Sequence, residues 1–219
     1  MQEFGRFFPR RTAGILAAWV LALALAAPCG QASAKVSRVV FLGDSLTAGY
    51  GLAEEEAFPA ILERRLEQAG HPVEVVNAGV SGDTSAGGLR RVDWVLGQDP
   101  DVLVVALGGN DGLRALPVEQ LESNLRKIVQ RARGAGARVL LLGVRMPPSH
   151  GQRYKSAFEA IYPRIAEEMD VSLVTRMLEG VAGEPSLIQP DGIHPTAEGQ
   201  RVIADNVFPA LAKLLKRSD

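Results

Sequence analysis

Apolar residues in this chain fall into two alternating patterns. Short unbroken runs rich in branched side chains occupy residues 39–42, 73–76, 102–107 and 139–144, with a weaker run at 171–174. They do not alternate with polar residues, so both faces of each should be buried, as in the interior strands of a parallel sheet. Between them, apolar positions recur at three- and four-residue spacing: Phe58, Ile61, Leu62 and Leu66; Leu89, Val92, Val95 and Leu96; Leu121, Leu125, Ile128 and Val129. That spacing predicts amphipathic helices. Phe158, Ile161, Ile165 and Met169 predict one more helix after the fourth strand, and Val202, Ile203, Val207, Leu211 and Leu215 a last one. The alternation predicts one domain, a three-layer α/β/α sandwich with a mostly parallel five-stranded sheet. Ligands of such sheets gather beyond the carboxyl ends of the strands, so the loops there are where chemistry is to be sought.

The first residues stand outside this pattern. Arg6, Arg10 and Arg11 precede an apolar run over residues 13–27, and Ala32-Ser33-Ala34 follows. A basic start, an apolar middle and a small-residue Ala-x-Ala site make a cleavable export signal, with cleavage expected after Ala34. The run is near the lower limit of the ~17 to 25 residues a spanning helix needs, and an anchor would not require the cleavage site. Cys29 lies just beyond the run, but Pro28 before it fits a lipoprotein site poorly. Residues 35–219 contain no cysteine, so an exported domain here holds together without disulfides. Three Arg and one Glu leave with residues 1–34, and 21 basic and 24 acidic residues remain. A balance of about −3 carries no footprint for nucleic acid. Small neutral or amphiphilic molecules are the expected partners, with no stable membrane span once the signal is removed.

Four loops after strands carry the unusual residues. The first is Gly43-Asp44-Ser45-Leu46-Thr47-Ala48-Gly49-Tyr50-Gly51, where a glycine permits a tight exit and Ser45 follows at the sheet edge. Alone, a serine after a strand is more often a helix cap than a nucleophile. The second, Asn77-Ala78-Gly79-Val80-Ser81-Gly82-Asp83-Thr84-Ser85, has glycines that let backbone N–H groups approach a developing oxyanion, though such a stretch is also an ordinary turn. The third, Leu107-Gly108-Gly109-Asn110-Asp111-Gly112, offers the neutral amide of Asn110 as a donor and Asp111 as a turn or cap. The fourth, Gln189-Pro190-Asp191-Gly192-Ile193-His194-Pro195, puts a carboxylate three residues before an imidazole. That spacing lets Asp191 fold back on the ring N–H and fix its tautomer. Pro195 keeps His194 out of the final helix. His71 and His150 lie in turn-like segments, which leaves His194 as the candidate base. Asp44 is read as a loop organiser rather than a base.

These four blocks in this order resemble the SGNH (GDSL) hydrolase family over most of residues 35–219. The resemblance implies the family's flavodoxin-like fold, Ser45 as nucleophile, and Asp191 and His194 as the rest of a triad. It further implies Gly82 and Asn110 as oxyanion donors beside the Ser45 N–H. The Ser-Gly-Asp pattern selects Gly82 over the nearby Gly79. Val80-Ser81-Gly82-Asp83-Thr84-Ser85 and Leu107-Gly108-Gly109-Asn110-Asp111-Gly112-Leu113-Arg114 are most similar to the bacterial periplasmic thioesterase I/lysophospholipase and arylesterase group. That similarity implies hydrolysis of acyl esters, thioesters and lysophospholipids, no cofactor, and residues 112–116 as a movable flap.

Other classes stay open. Asp44, Asp83, Asp111, Asp191 and His194 all lie on loops at one sheet edge and could hold a divalent cation for a metal-dependent hydrolase. A carbohydrate acetylesterase of the same fold is a further alternative. A non-catalytic binding module would leave Ser45, Asn110, Asp191 and His194 unexplained. Gly49-Tyr50-Gly51 lacks the third glycine of a dinucleotide site, and Ser45 lacks the Gly-x-Ser-x-Gly elbow of α/β-hydrolases.

Overall fold

In the computed structural model, which describes residues 36–146 and 148–216, the expected runs pair into one sheet. Its strands are β1 (Ser37–Gly43), β2 (Val73–Gly79), β3 (Val102–Ala106), β4 (Arg138–Leu142) and β5 (Ser172–Val174). All are parallel, in the spatial order β2-β1-β3-β4-β5. The residues assigned to an export signal lie outside the described residues.

Burial explains the unbroken apolar runs. Val39, Val40, Phe41 and Leu42 of β1 and Val102, Leu103 and Val104 of β3 are wholly inaccessible. Each such side chain contributes roughly 1.5–3 kcal/mol of hydrophobic stabilisation. Helices cover both faces. On one, α2 (Phe58–Gln68) packs against β2 and α8 (Ala197–Leu215), which lies over β4 and β5. On the other, α3 (Ser85–Leu96) meets β1 and α5 (Val118–Gly134), and α5 meets β4 and α7 (Ile161–Glu168). In α5 the buried positions Leu121, Leu125, Ile128 and Ala132 form the stripe that a 3.6-residue period predicts.

Two expectations need correction. The single helix expected through Phe158, Ile161, Ile165 and Met169 is two, α6 (Gln152–Glu159) and α7, joined at Ala160. Pro163 accounts for the break: it lacks the N–H that would bond the Glu159 carbonyl, and its ring crowds that oxygen. The strand limits also shift. β1 and β2 run on into Gly43 and Gly79, while β3 and β4 end one and two residues early.

From β1 the chain crosses to β2 on one side and then returns to β3 on the other. The connections after β1 and β3 therefore diverge, opening a crevice at the carboxyl ends where ligands of doubly wound sheets bind. Ser45 follows β1, and Asn110 follows β3.

Candidate active site

The exit from β1 is built around a residue without a side chain. A Cβ at Gly43 would lie 2.0 Å from Thr47 Oγ1, so only glycine lets the short helix α1 (Ser45–Ala48) turn back so closely. Asp44 is its cap: a carboxylate oxygen accepts the Leu46 N–H at 3.0 Å. Ser45 is thus the first helical residue, not the cap. Its own N–H belongs to the turn whose donors have no partner within the helix. Asp44 is almost fully buried, and that desolvation raises its carboxyl to about 6, against the opposing pull of the Leu46 N–H.

The fourth loop meets Ser45 from the other end of the chain. Ile188 and Pro195 form an antiparallel bridge, and Gln189 N–H donates to the His194 carbonyl at 2.7 Å, closing a tight hairpin. Within it one oxygen of Asp191 accepts the Ile193 and His194 N–H groups at 2.9 and 3.0 Å. The other lies 2.6 Å from His194 Nδ1, and His194 Nε2 lies 2.9 Å from Ser45 Oγ. A carboxylate on Nδ1 selects the tautomer with the proton there, leaving Nε2 to accept from the serine. The His194 N–H, then the imidazole, then the Ile193 N–H hold Asp191 down at about 2, so it is ionised at any working pH.

Side chains other than the expected site residues fix these loops together. Gln189 Nε2 donates to the carbonyls of Tyr50 and Pro195, both at 2.8 Å, stapling the serine loop to the histidine loop. Gln200 on α8 accepts the Phe58 N–H at 3.0 Å and donates to the Leu46 carbonyl at 3.1 Å. The Tyr50 ring lies over the imidazole, centroids 4.5 Å apart. Neither glutamine has a local signature, because each acts on backbone distant in sequence. Gln189 alone stood inside a motif that drew attention.

Asn110 sits on α4 (Gly109–Leu113) between the first two loops. Its amide nitrogen donates to the Asp83 carbonyl at 3.0 Å and lies 3.5 Å from an Asp44 oxygen. It is therefore adjacent to Ser45 through Asp44 and to Gly82 through Asp83. Gly82 has a φ of 81°, a conformation favouring glycine, and its carbonyl accepts from Arg114 at 3.1 Å. Asp111, left open as a turn or cap, is buried and receives Ser85 N–H and Oγ–H at 2.8 and 2.6 Å; Asn124 donates to the same hydroxyl at 2.9 Å. The segment expected as a flap is helical at its start, and Tyr154 donates to the Leu116 carbonyl at 2.9 Å.

Residues 41–202 match the GDSL-like Lipase/Acylhydrolase family. The chain belongs to this family. Esterase TesA of Pseudomonas aeruginosa is 45% identical over 194 residues, 88% of this chain and 96% of that protein. Thioesterase 1/protease 1/lysophospholipase L1 of Escherichia coli is 44% identical over 184 residues, 84% of this chain and 87% of that protein. Among solved structures, the psychrotrophic esterase EstA of Pseudoalteromonas, inhibited by monoethylphosphonate, superposes with a TM-score of 0.78. It is 34% identical, covering 83% of this chain and all of that one. Membership of this GDSL-like family places the chain among ester hydrolases.

Within the family fold, the carboxylates once considered for a cation are otherwise engaged. Asp83 faces Arg91 at 2.7 Å, Asp111 faces Ser85, and Asp191 faces His194. Among the described residues no three His, Cys, Asp or Glu side chains are grouped to hold a metal ion. His71 precedes β2 at the opposite end of the sheet, and His150 lies against Tyr154.

Proposed function

We propose that this GDSL-like hydrolase is an exported serine esterase that hydrolyses acyl esters and thioesters through an acyl-enzyme on Ser45. The observation that carries the reading is the unbroken line of contacts from Asp191 through His194 to Ser45 Oγ, at 2.6 and 2.9 Å. His194 Nε2 takes the Ser45 proton as the oxygen attacks the substrate carbonyl, and the Asp191 carboxylate stabilises the imidazolium that results. His194 then protonates the departing alcohol or thiol. Water, deprotonated by the same nitrogen, releases the acid.

The negative oxygen of each tetrahedral intermediate is received by the N–H groups of Ser45 and Gly82 and by the Asn110 amide. Neutral donors held in place before reaction need no reorganisation as charge develops, which makes them effective in a site partly shielded from water.

The substrate class is supported by the surroundings of Ser45. Six large apolar side chains are exposed among the described residues, and among them are Tyr50, Val80 and Ile193 on the first, second and fourth loops and Leu113 directly after the third. An apolar rim suits acyl chains, aryl groups and lysophospholipids. The relatives named as esterase, thioesterase 1 and lysophospholipase L1 span the same range. Export rests on the Arg6-to-Ala34 signal pattern; among the described residues no helix is long and apolar enough to cross a membrane.

A panel of nitrophenyl esters, acyl-CoA thioesters and lysophosphatidylcholine tests the reading, beside an ethylphosphonate probe followed by peptide mass spectrometry. Turnover of esters and thioesters, with the phosphonyl mass on the Ser45 peptide, is expected. Label on another residue, or full activity after Ser45 is labelled, defeats the mechanism. N-terminal sequencing of exported protein should begin at Lys35; a start at Met1 defeats the signal.

A further inference from the structure

We infer that Arg91 and Asp83 are a positioning pair that aims the Asn110 amide at the oxyanion, acting through the main-chain carbonyl of Asp83. The inference rests on the proposed role of Asn110 and adds two residues to it.

An amide nitrogen carries two hydrogens in one plane. Asn110 Nδ2 gives one to the Asp83 carbonyl at 3.0 Å, and the Asp44 oxygen at 3.5 Å is too far for a strong second bond. The second hydrogen is held only by that long contact and can be given up to substrate, and its direction follows from where the Asp83 carbonyl stands.

That carbonyl lies in the turn between β2 and α3, just before Thr84, whose hydroxyl caps α3 by accepting the Gly87 N–H. It comes directly after Gly82, in a stretch of Ser81, Gly82, Asp83 and Thr84. What fixes Asp83 is its side chain, which receives Arg91 Nε at 2.7 Å; the Asp83 N–H also donates to the Val80 carbonyl at 3.0 Å. Room for the carboxylate is made by Gly87, where a Cβ would lie 1.7 Å from Asp83 Oδ1.

Arg91 is itself held by the sheet. It reaches from α3 to donate through Nη1 to the Ala78 carbonyl at 2.6 Å and through Nη2 to the Gly43 carbonyl at 2.8 Å. Gly43 ends β1 two residues before Ser45, and Ala78 lies one residue before the end of β2. One guanidinium therefore references the second loop to the strand that carries the nucleophile. Its side chain and that of Asp83 are 19% and 13% exposed, so solvent competes weakly for these bonds. Nε, Nη1 and Nη2 each have a different acceptor. A lysine ammonium is a point charge on a flexible stem and cannot reproduce that fork.

The test measures kcat and KM for nitrophenyl butyrate with the mature enzyme, for Arg91→Lys and Asp83→Asn, each alone and combined with Asn110→Ala. Each single variant is expected to lower kcat about 10- to 100-fold with KM changed less than about threefold, because donor misalignment is felt in the transition state. In the Asn110→Ala background the same changes should cost less than about twofold, since the donor they aim is gone. Equal losses in both backgrounds, or wild-type kcat in either folded single variant, would overturn the inference. If Arg91→Lys does not fold, the isosteric Asp83→Asn carries the same comparison. Wild-type turnover in Asn110→Ala would remove the underlying reading; a crippled Asn110→Ala beside wild-type Arg91→Lys and Asp83→Asn would remove this inference alone.

Discussion

The two ends of the sheet are built from the same strands and handle polar groups in opposite ways. At the carboxyl end polar side chains are buried, and all but Thr47, whose hydroxyl has no hydrogen-bond partner, are bonded. The seven buried polar or charged residues among those described are Asp44, Ser45, Thr47, Ser85, Asp111, Asn124 and Gln200. The first five lie on the loops and helix starts around Ser45, and the last two bond directly to those elements. At the amino end, Arg38 and Glu74 pair at 2.9 Å with side chains 40% and 52% exposed. A depression of about 790 Å³ lies there, lined by Arg38, His71, Glu74 and Arg138 among others, far from the serine. The depression at the amino end gathers no such set of buried polar groups; the proposed site at the carboxyl end does. A buried polar group costs stability unless satisfied, so its persistence at one edge marks where geometry is being held.

The comparison breaks first at Ser45. Ser45→Ala should reduce ester turnover by at least about 10,000-fold while leaving the unfolding transition within roughly 1 kcal/mol of wild type. Steady-state kinetics and denaturant titration measure the two quantities. Turnover near wild type would put the nucleophile elsewhere.

Asn110→Ala comes next, with a loss of about 100- to 1000-fold in kcat and a small change in KM, read from the same ester assay. A normal kcat would show that the carboxyl edge is rigid for some reason other than oxyanion binding.

How far the sequence led can be judged from these residues. Ser45, Asn110, Asp191 and His194 stood out because each sits in a short motif beyond a strand, and local spacing allowed Asp191 to fold onto His194; Gly82, rather than Gly79, was singled out only by the resemblance to the SGNH family. The sheet was legible because unbroken Val, Leu and Ile runs have few other uses. What escaped was set by long-range contacts. Arg91 reads as one more helix charge until its eight-residue reach to Asp83 and its bonds to Gly43 and Ala78 are known. Gln200 likewise looks like a surface residue of α8. Asp111 could be called a cap, but not that it receives Ser85, 26 residues away. The break at Ala160 was readable in principle, since Pro163 announces it.

The pH dependence sharpens the contrast between the edges. Burial raises Asp44 from 3.8 to about 6, so the folded protein prefers its protonated form. Its contribution is most favourable below 3.8 and is lost as pH rises through about 6, a difference on the order of 2–3 kcal/mol. Asp44→Asn keeps a cap for the Leu46 N–H and removes the titration. Relative to wild type, the variant should therefore gain stability between pH 4 and pH 8, by chemical denaturation at both. A constant difference across that range would mean that Asp44 titrates normally. Asp191 has the opposite sign: its depressed value of about 2 gives a contribution present above 3.8 and lost only as pH falls through 2.

The smallest effect is expected at the amino edge, in Glu74→Gln. The Arg38–Glu74 pair joins neighbouring residues of β1 and β2, and Arg38 also donates to the Gln98 carbonyl at 2.8 Å, so the arginine keeps a partner when the carboxylate is neutralised. Both side chains are substantially solvated, and exposed pairs of this kind contribute about 0–1 kcal/mol. Denaturant unfolding should shift by less than about 1 kcal/mol, and kcat should not change. The shift should shrink further in 0.5 M salt, where the Debye length is only about 4 Å. A loss of several kcal/mol, or a fall in kcat, would mean that the amino edge is coupled to the site through β1, and that the division between a committed edge and a solvated one does not hold.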